Sequence, residues 1–149
     1  MAKKNKAFRY EQSKHEKGNY SPRMDYDSKC PVWHFDRLDK SGPFAFDTSR
    51  RDFQHREFID KMVAYSNMTW ADIKRQTHDD GKSKHYILDE AGFSHDAVER
   101  IKAKHMEEDT DEIFFFAFQN LLRVIGVKQD EEFHVVWYDA NHQFYPSKR

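Results

Sequence analysis

The sequence predicts an α+β fold with an N-terminal β-hairpin, about three helices and a C-terminal antiparallel sheet. Apolar residues recur at helical spacing in the middle third, for example at Phe58, Met62 and Tyr65. The last third instead contains short runs of β-branched and aromatic residues, which favour strands. Only 38% of the 149 residues are hydrophobic, but 15% are aromatic. Each buried ring removes roughly 150–250 Å² from water, so the chain can build a core for one domain.

Residues 1–29 are predicted to be a disordered charged tail, followed by a single domain over residues 30–149. The tail has no apolar periodicity, so it cannot bury enough surface to offset its chain entropy. Residues 1–30 hold eight Lys or Arg and four Asp or Glu, whereas the remainder holds 17 basic and 22 acidic residues. A positive tail on an acidic body indicates either a solubilising segment or a contact with nucleic acid.

The first half of the domain is predicted to contain the hairpin and the helices. Two short strands over 32–35 and 44–46 flank a turn signal at 39–43. The helices are expected over about 51–65, 69–78 and 95–106, and the candidate N-caps are Asp47 to Ser49, Thr69 and Ser94.

The last third predicts strands over 112–120, 121–128 and 133–138, with a final short strand at 143–145. The polar segment 129–132 is the expected turn of the main hairpin. Successive side chains of a strand point to opposite faces of the sheet, which divides the residues of the last long strand into two sets. Phe133, Val135 and Trp137 lie on one face, and His134, Val136 and Tyr138 on the other.

The composition excludes several classes of function. A net charge of -1 gives no global basic field to attract nucleic acid. The single cysteine, Cys30, permits no intrachain disulfide, and no apolar run is long enough for a membrane span or signal peptide. The cytoplasm is therefore the expected location. The sequence has neither a Gly-rich phosphate loop nor a Gly-x-Ser-x-Gly elbow.

The richest candidate site lies near the end of the chain. Arg123 interrupts an apolar strand and must meet an anion, because a bare buried guanidinium is costly. In one interpretation Asp139 supplies that charge and the pair is structural. In the other, Arg123 binds a phosphate group. His142 follows the last long strand and is either an acid–base group or a turn residue bonded to the backbone.

No metal site and no cofactor are predicted. His134, Asp139 and His142 could converge around one turn, and residues 78–80 form a second His/Asp cluster. Neither spacing matches a recurrent metal site. Three further histidines, His85, His95 and His105, are expected to be surface or capping residues.

The end of the chain combines an Arg in an apolar strand, a polar turn, an aromatic-rich strand, and then a His and a Tyr. In this pattern, residues 112–149 resemble the tail of the RelE/ParE/HigB superfamily of small bacterial toxins. The resemblance implies an endoribonuclease that cleaves RNA on the ribosome without metal and pairs with an antitoxin protein. By position, the catalytic candidates are Arg123, His142, Tyr145 and His134. The candidate charges for binding nucleic acid are Lys128, Lys148 and Arg149.

Two other interpretations stay open. A non-enzymatic interaction module, such as a prophage regulator or inhibitor, would bind a protein through the acidic run 107–112 and the aromatic surface. A toxin-like fold kept for structure alone would have Arg123 fully paired with Asp139. The longer pattern from W-H-F-D to W-Y-D-A-N-H-Q-F-Y-P is also similar to small bacterial or prophage proteins, a resemblance that implies no activity.

Overall fold

The computed structural model describes residues 25–78 and 81–146. Most of the predicted tail, together with Lys148 and Arg149, lies outside these residues. The described end of the tail forms a short 3-10 helix at Tyr26–Ser28. It contacts the body of the protein, because the Lys29 carbonyl accepts a hydrogen bond from Trp70 N at 2.9 Å.

The predicted α+β class is confirmed, since the described residues form helices around a five-stranded mixed sheet. The strand order is β1-β5-β4-β3-β2, and only β1 runs parallel to its neighbour, β5. The strands are β1 (Val32–His34), β2 (Tyr86–Ile87), β3 (Ile113–Ala117), β4 (Arg123–Gln129) and β5 (Glu132–Asp139). The helices are α1 (His55–Ser66), α2 (Trp70–Arg75) and α3 (His95–Ala103), with further 3-10 helices at Glu90–Gly92 and Glu107–Glu112.

The N-terminal segment reverses direction at the predicted turn, but its strand pairs with the distant β5. Phe46 N donates to the Asp39 carbonyl at 2.7 Å, which closes the reversal. Both arms then bond to β5, because Asp39 N donates to the Val136 carbonyl and Tyr138 N donates to the Phe44 carbonyl. The segment 44–46 is not itself a strand, and the sheet is mixed because β1 joins β5 in parallel.

The helix caps at Thr69 and Ser94 are confirmed. Thr69 Oγ1 accepts from Asp72 N, and Ser94 Oγ accepts from Ala97 N, each at 3.1 Å. The first helix begins at His55 rather than near residue 51. The Asp47 carboxylate instead closes a local turn by accepting hydrogen bonds from Ser49.

Two apolar cores cover opposite faces of the sheet. The first face packs on α1 and α2, with Phe114 and Phe116 of β3 at its centre. The second face packs on α3 and includes Phe115 of β3. Every residue of β3 is buried, because both faces of this strand are covered. The sequence of β3 is therefore a continuous apolar run and does not alternate between apolar and polar residues.

A β-bulge corrects the predicted alternation along β5. The register pairs Ile125 with Trp137 but Gly126 with Val135, so Val136 is the extra residue. Val136 and Trp137 therefore pack in the core on α3, whereas Tyr138 joins Val135 in the other core. The bulge needs a glycine, because a Cβ at position 126 would lie 2.0 Å from the His134 carbonyl oxygen.

A buried carboxylate joins α3 to the sheet. Asp39 is 2% exposed and accepts two hydrogen bonds from the Arg100 guanidinium, at 2.8 and 2.9 Å. It also accepts from Trp137 Nε1 at 2.8 Å and from Ser41 N at 3.1 Å. Burial acts to raise the pKa of Asp39, but these hydrogen bonds outweigh it and lower the pKa below its ordinary value.

The C-terminal segment departs from the predicted final strand. Residues 143–145 form no strand, because the Asp139 carboxylate accepts from Gln143 N at 2.9 Å and from Phe144 N at 2.8 Å and turns the chain. The turn directs Phe144 into the core beneath α3. Among the described residues, no helix has the length and apolar character needed to cross a membrane.

Candidate functional site

Three of the four predicted catalytic residues meet around Phe115 at one end of the sheet. The Arg123 guanidinium carbon lies 5.7 Å from the centre of the Phe115 ring. The rings of His142 and Tyr145 lie 6.0 and 6.1 Å from the same ring. This convergence follows from topology, since β3, β4 and the segment after β5 all reach this end of the sheet.

Arg123 is held at the first position of β4 with 6% of its surface exposed. Its Nη1 donates to the carbonyls of Asn120 and Leu122, both at 2.9 Å. Its Nε is buried and has no hydrogen-bond partner among the described residues. Burial lowers the pKa of Arg123, and the negative charge of Asp139 opposes that shift.

Asp139 is the register partner of Arg123 across β4 and β5. Its two oxygens accept from the backbone of the turn that follows, and burial raises its pKa despite those hydrogen bonds. The charges of Arg123 and Asp139 therefore attract each other, while the hydrogen bonds described for each go to the backbone. Asp139 fixes the turn that carries His142.

His142 is half-buried and has a left-handed backbone, with a φ of 58°. Burial lowers its pKa to about 4, and the positive charge of Arg123 adds to that shift. A hydrogen bond with the Tyr145 backbone acts in the opposite direction. The imidazole is therefore neutral at pH 7 and able to accept a proton.

Tyr145 lies beside His142 and is held by the 3-10 helix Glu90–Gly92. Its hydroxyl accepts from Asp89 N at 3.3 Å, and its ring covers Gly92, where a Cβ would approach to 2.3 Å. The half-buried ring of Tyr86 lies 6.3 Å from Tyr145 and 4.8 Å from Phe115. The rings of Tyr86 and Tyr145 give the site an aromatic wall that the sequence did not reveal.

The structure corrects the prediction made for His85. It was expected at the surface or in a cap, but it is 1% exposed. Its Nδ1 accepts from Ala117 N at 3.1 Å, so its Nε2 is the nitrogen that donates to Gln76 Oε1, at 2.6 Å. Burial lowers the pKa of His85 to about 3. The Tyr65 hydroxyl also donates to the Ala117 carbonyl. Both backbone groups of Ala117, the last residue of β3 and the register partner of Arg123, are therefore held by side chains.

The remaining predicted residues lie elsewhere. Lys128 lies at the other end of β4, roughly 17 Å from Arg123 by strand rise. Its Nζ donates to the Asp130 carbonyl at 2.8 Å and lies 4.6 Å from the centre of the Trp70 ring. Burial lowers the pKa of Lys128 to about 8. Lys148 and Arg149 are outside the described residues.

His134 belongs to a separate cluster at the edge of the sheet. It is the register partner of His34 across β1 and β5, and the two rings stack at 4.4 Å with an angle of 15°. Asp36 Oδ1 lies 3.5 Å from His134 Nδ1, and Glu132 Oε1 lies 2.8 Å from His34 Nε2. Burial lowers the pKa of His134. The grouping of His134 with Asp139 and His142 that the sequence suggested does not form.

The acidic run is partly an internal structure. It forms the 3-10 helix Glu107–Glu112, in which Asp109 and Glu112 are buried. Asp109 pairs with Arg37 at 3.2 Å, and Glu112 accepts from Gln129 at 3.1 Å. Only part of the run is therefore available to a partner protein.

Comparison with known proteins assigns no family to this arrangement. Neither the models of protein families, nor the curated proteins, nor the solved structures give a match to the chain. The toxin resemblance thus stays a prediction. The chemistry of the residues around Phe115 is the basis for a functional assignment.

Those residues combine three capacities in one place. Arg123 supplies a fixed positive charge, His142 supplies a neutral imidazole, and Tyr86 and Tyr145 supply ring faces. A cation beside a proton acceptor suits attack on an anionic ester, and aromatic walls suit bases or other flat groups.

Proposed function

We propose that this protein is a toxin-like endoribonuclease that cleaves RNA without metal, through Arg123 and His142. The observation that carries the proposal is the meeting of Arg123, His142 and Tyr145 around Phe115. The Arg123 Nε supports it further, because it is a strong donor that has no hydrogen-bond partner among the described residues.

The reaction that fits these groups is attack by a ribose 2′-hydroxyl on the adjacent phosphodiester. Neutral His142 takes the 2′-hydroxyl proton while the 2′-oxygen forms a bond to phosphorus. Arg123 stabilises the extra negative charge on the phosphoryl oxygens. The bond from phosphorus to the 5′-oxygen breaks, the leaving oxygen takes a proton from water, and the hydroxide that remains takes the proton held by His142. The products are a 2′,3′-cyclic phosphate and a free 5′-hydroxyl.

The electrostatics of the site favour this order of events. The charge of Arg123 helps keep His142 unprotonated in the free protein. A bound phosphodiester brings a negative charge next to Arg123 and raises the proton affinity of His142 as the substrate arrives. Tyr86 and Tyr145 flank the site and offer faces on which a base can stack.

The partners follow from the same proposal. RNA, on or off the ribosome, is the substrate, and a cognate antitoxin protein is the inhibitor. The eight basic residues among the first 30 would supply phosphate contacts that the acidic body lacks. The reaction would take place in the cytoplasm.

The test is RNA cleavage in vitro by the purified full-length chain in the presence of a chelator. His142→Asn is the sharpest variant, because asparagine tolerates the left-handed backbone at this position. We expect a loss of about 10²–10⁴-fold in cleavage rate with that variant, the usual size of an acid–base contribution. Arg123→Lys keeps a positive charge but loses the planar guanidinium fork, and a large loss is expected there too.

The matched control is His95→Asn, which removes an exposed imidazole at the start of α3. Circular dichroism shows whether each variant keeps the fold. Equal cleavage by wild type, His142→Asn and the control would contradict the proposal. Intact RNA with every version, including wild type with its basic tail, would favour the interaction module instead.

A further inference from the structure

We propose that His34, Asp36 and His134 form a binding site for one divalent ion of the zinc class at the β1 edge of the sheet. The site is separate from the residues around Phe115 and does not depend on the proposed ribonuclease activity. Its role would be to tie β1 to β5.

The parallel pairing of β1 with β5 brings the three side chains together. His34 and His134 are register partners, and Asp36 follows β1 by two residues. One ligand atom from each of the three lies within 4.8 Å of the other two. Residues 34 and 134 are a hundred positions apart, so only the fold creates this set.

The donor set has the chemistry of a transition-metal site. Two imidazoles and one carboxylate are the protein ligands of many zinc sites, with metal–ligand distances of about 2.0–2.2 Å. Tetrahedral geometry at those distances separates neighbouring ligand atoms by about 3.4 Å. To bind the ion, the three ligand atoms must therefore come closer to one another by at most about 1.4 Å.

The required movement is small and falls on side chains that can make it. The imidazoles are stacked, so they must tilt until their lone pairs point to a common centre. The Asp36 side chain is 72% exposed and can swing towards them. The backbone stays fixed, because Val32 N donates to the Glu131 carbonyl and the neighbouring Trp33 ring packs on Phe116 and Phe133.

Two further observations point to a ligand. The Nδ1 atom of His134 is buried, and among the described residues its polar contact is Asp36 Oδ1, 3.5 Å away, which is too long for a hydrogen bond. The Glu132 carboxylate already contacts His34 Nε2 at 2.8 Å. Contacts of this kind orient imidazoles that bind metals and increase their basicity.

The experiment is a calorimetric titration of the full-length chain with Zn²⁺ after dialysis against a chelator. The same samples are titrated with Co²⁺, whose visible absorption reports tetrahedral coordination. We expect one ion per chain. His34→Gln and Asp36→Asn should each weaken binding at least roughly 10-fold, because each removes a direct ligand. Asp36→Asn changes an exposed side chain, so it keeps the test valid if His34→Gln does not fold.

The controls separate this site from adventitious binding. His95→Gln removes an exposed imidazole elsewhere, and Cys30→Ser removes the exposed thiol near β1. Neither should change the stoichiometry or the affinity. Equal weakening by His95→Gln, or unchanged binding in both His34→Gln and Asp36→Asn, would overturn the proposal. RNA cleavage by Asp36→Asn should match wild type, so failure of either proposal can be recognised separately.

Discussion

The buried imidazole of His85 should make the stability of this protein depend on pH in a defined window. In the folded chain, burial lowers the pKa of His85 to about 3, whereas an unfolded histidine has a pKa of about 6.5. Below pH 6.5 the unfolded chain therefore binds a proton that the folded chain does not bind. Stability contributed by neutral His85 is present above pH 6.5 and is lost progressively as the pH falls towards 3.

The magnitude follows from the two pKa values. At pH 7.5 the unfolded histidine is almost entirely neutral, so protonation of His85 does not change the free energy of unfolding. At pH 5 the unfolded histidine is about 1.5 pH units below its pKa, which corresponds to about 2 kcal/mol at 1.36 kcal/mol per unit. His85 in the folded chain stays almost entirely neutral at pH 5, since its pKa there is about 3. The folded state therefore gains almost no stabilisation from protonation that could offset the roughly 2 kcal/mol.

The assay is urea unfolding at pH 7.5, 6 and 5, followed by the fluorescence of the three tryptophans. His85→Asn keeps an acceptor near Ala117 N but does not titrate, so it should lose about 2 kcal/mol less than wild type between pH 7.5 and pH 5. His95→Asn tests whether removal of any imidazole has this effect. Parallel pH curves for wild type and His85→Asn would refute the reasoning.

Two further substitutions test the framework that positions the site. Gly126→Ala should destabilise the fold by on the order of 3 kcal/mol in urea unfolding, because the new Cβ would lie 2.0 Å from the backbone oxygen of His134. Asp39→Asn should cost about 3 kcal/mol in the same assay, because it leaves the Arg100 guanidinium without the charge that binds it.

Each has a control chosen from the same structure. Gly81→Asn changes an exposed left-handed glycine with nothing within 4 Å, and it should cost only about 1 kcal/mol, because asparagine tolerates this backbone better than other side chains. Asp27→Asn removes a surface pair with Lys74 and should cost less than about 1 kcal/mol. If Gly126→Ala or Asp39→Asn matched its control, the bulge or the buried pair would not have the role assigned to it.

The sequence determined the features that depend on neighbouring residues. The caps at Thr69 and Ser94 were predictable, because each side chain bonds to a backbone amide three residues ahead. The three C-terminal strands were predictable from their apolar and aromatic runs. The sequence also singled out Arg123 and His142 as candidates, but it left open whether they meet, which the pairing of β4 with β5 decides.

The tertiary structure decided what depends on distant pairings and on a single shift of register. β1 pairs with a strand a hundred residues away, so no local pattern shows that His34 meets His134. One extra residue at the bulge moves Trp137 to the opposite face, because alternation has a period of two. His85 was predicted to be a surface or capping residue. It is buried because the fold brings it to the end of β3, where its Nδ1 accepts from Ala117 N and its ring packs edge-on against Tyr65.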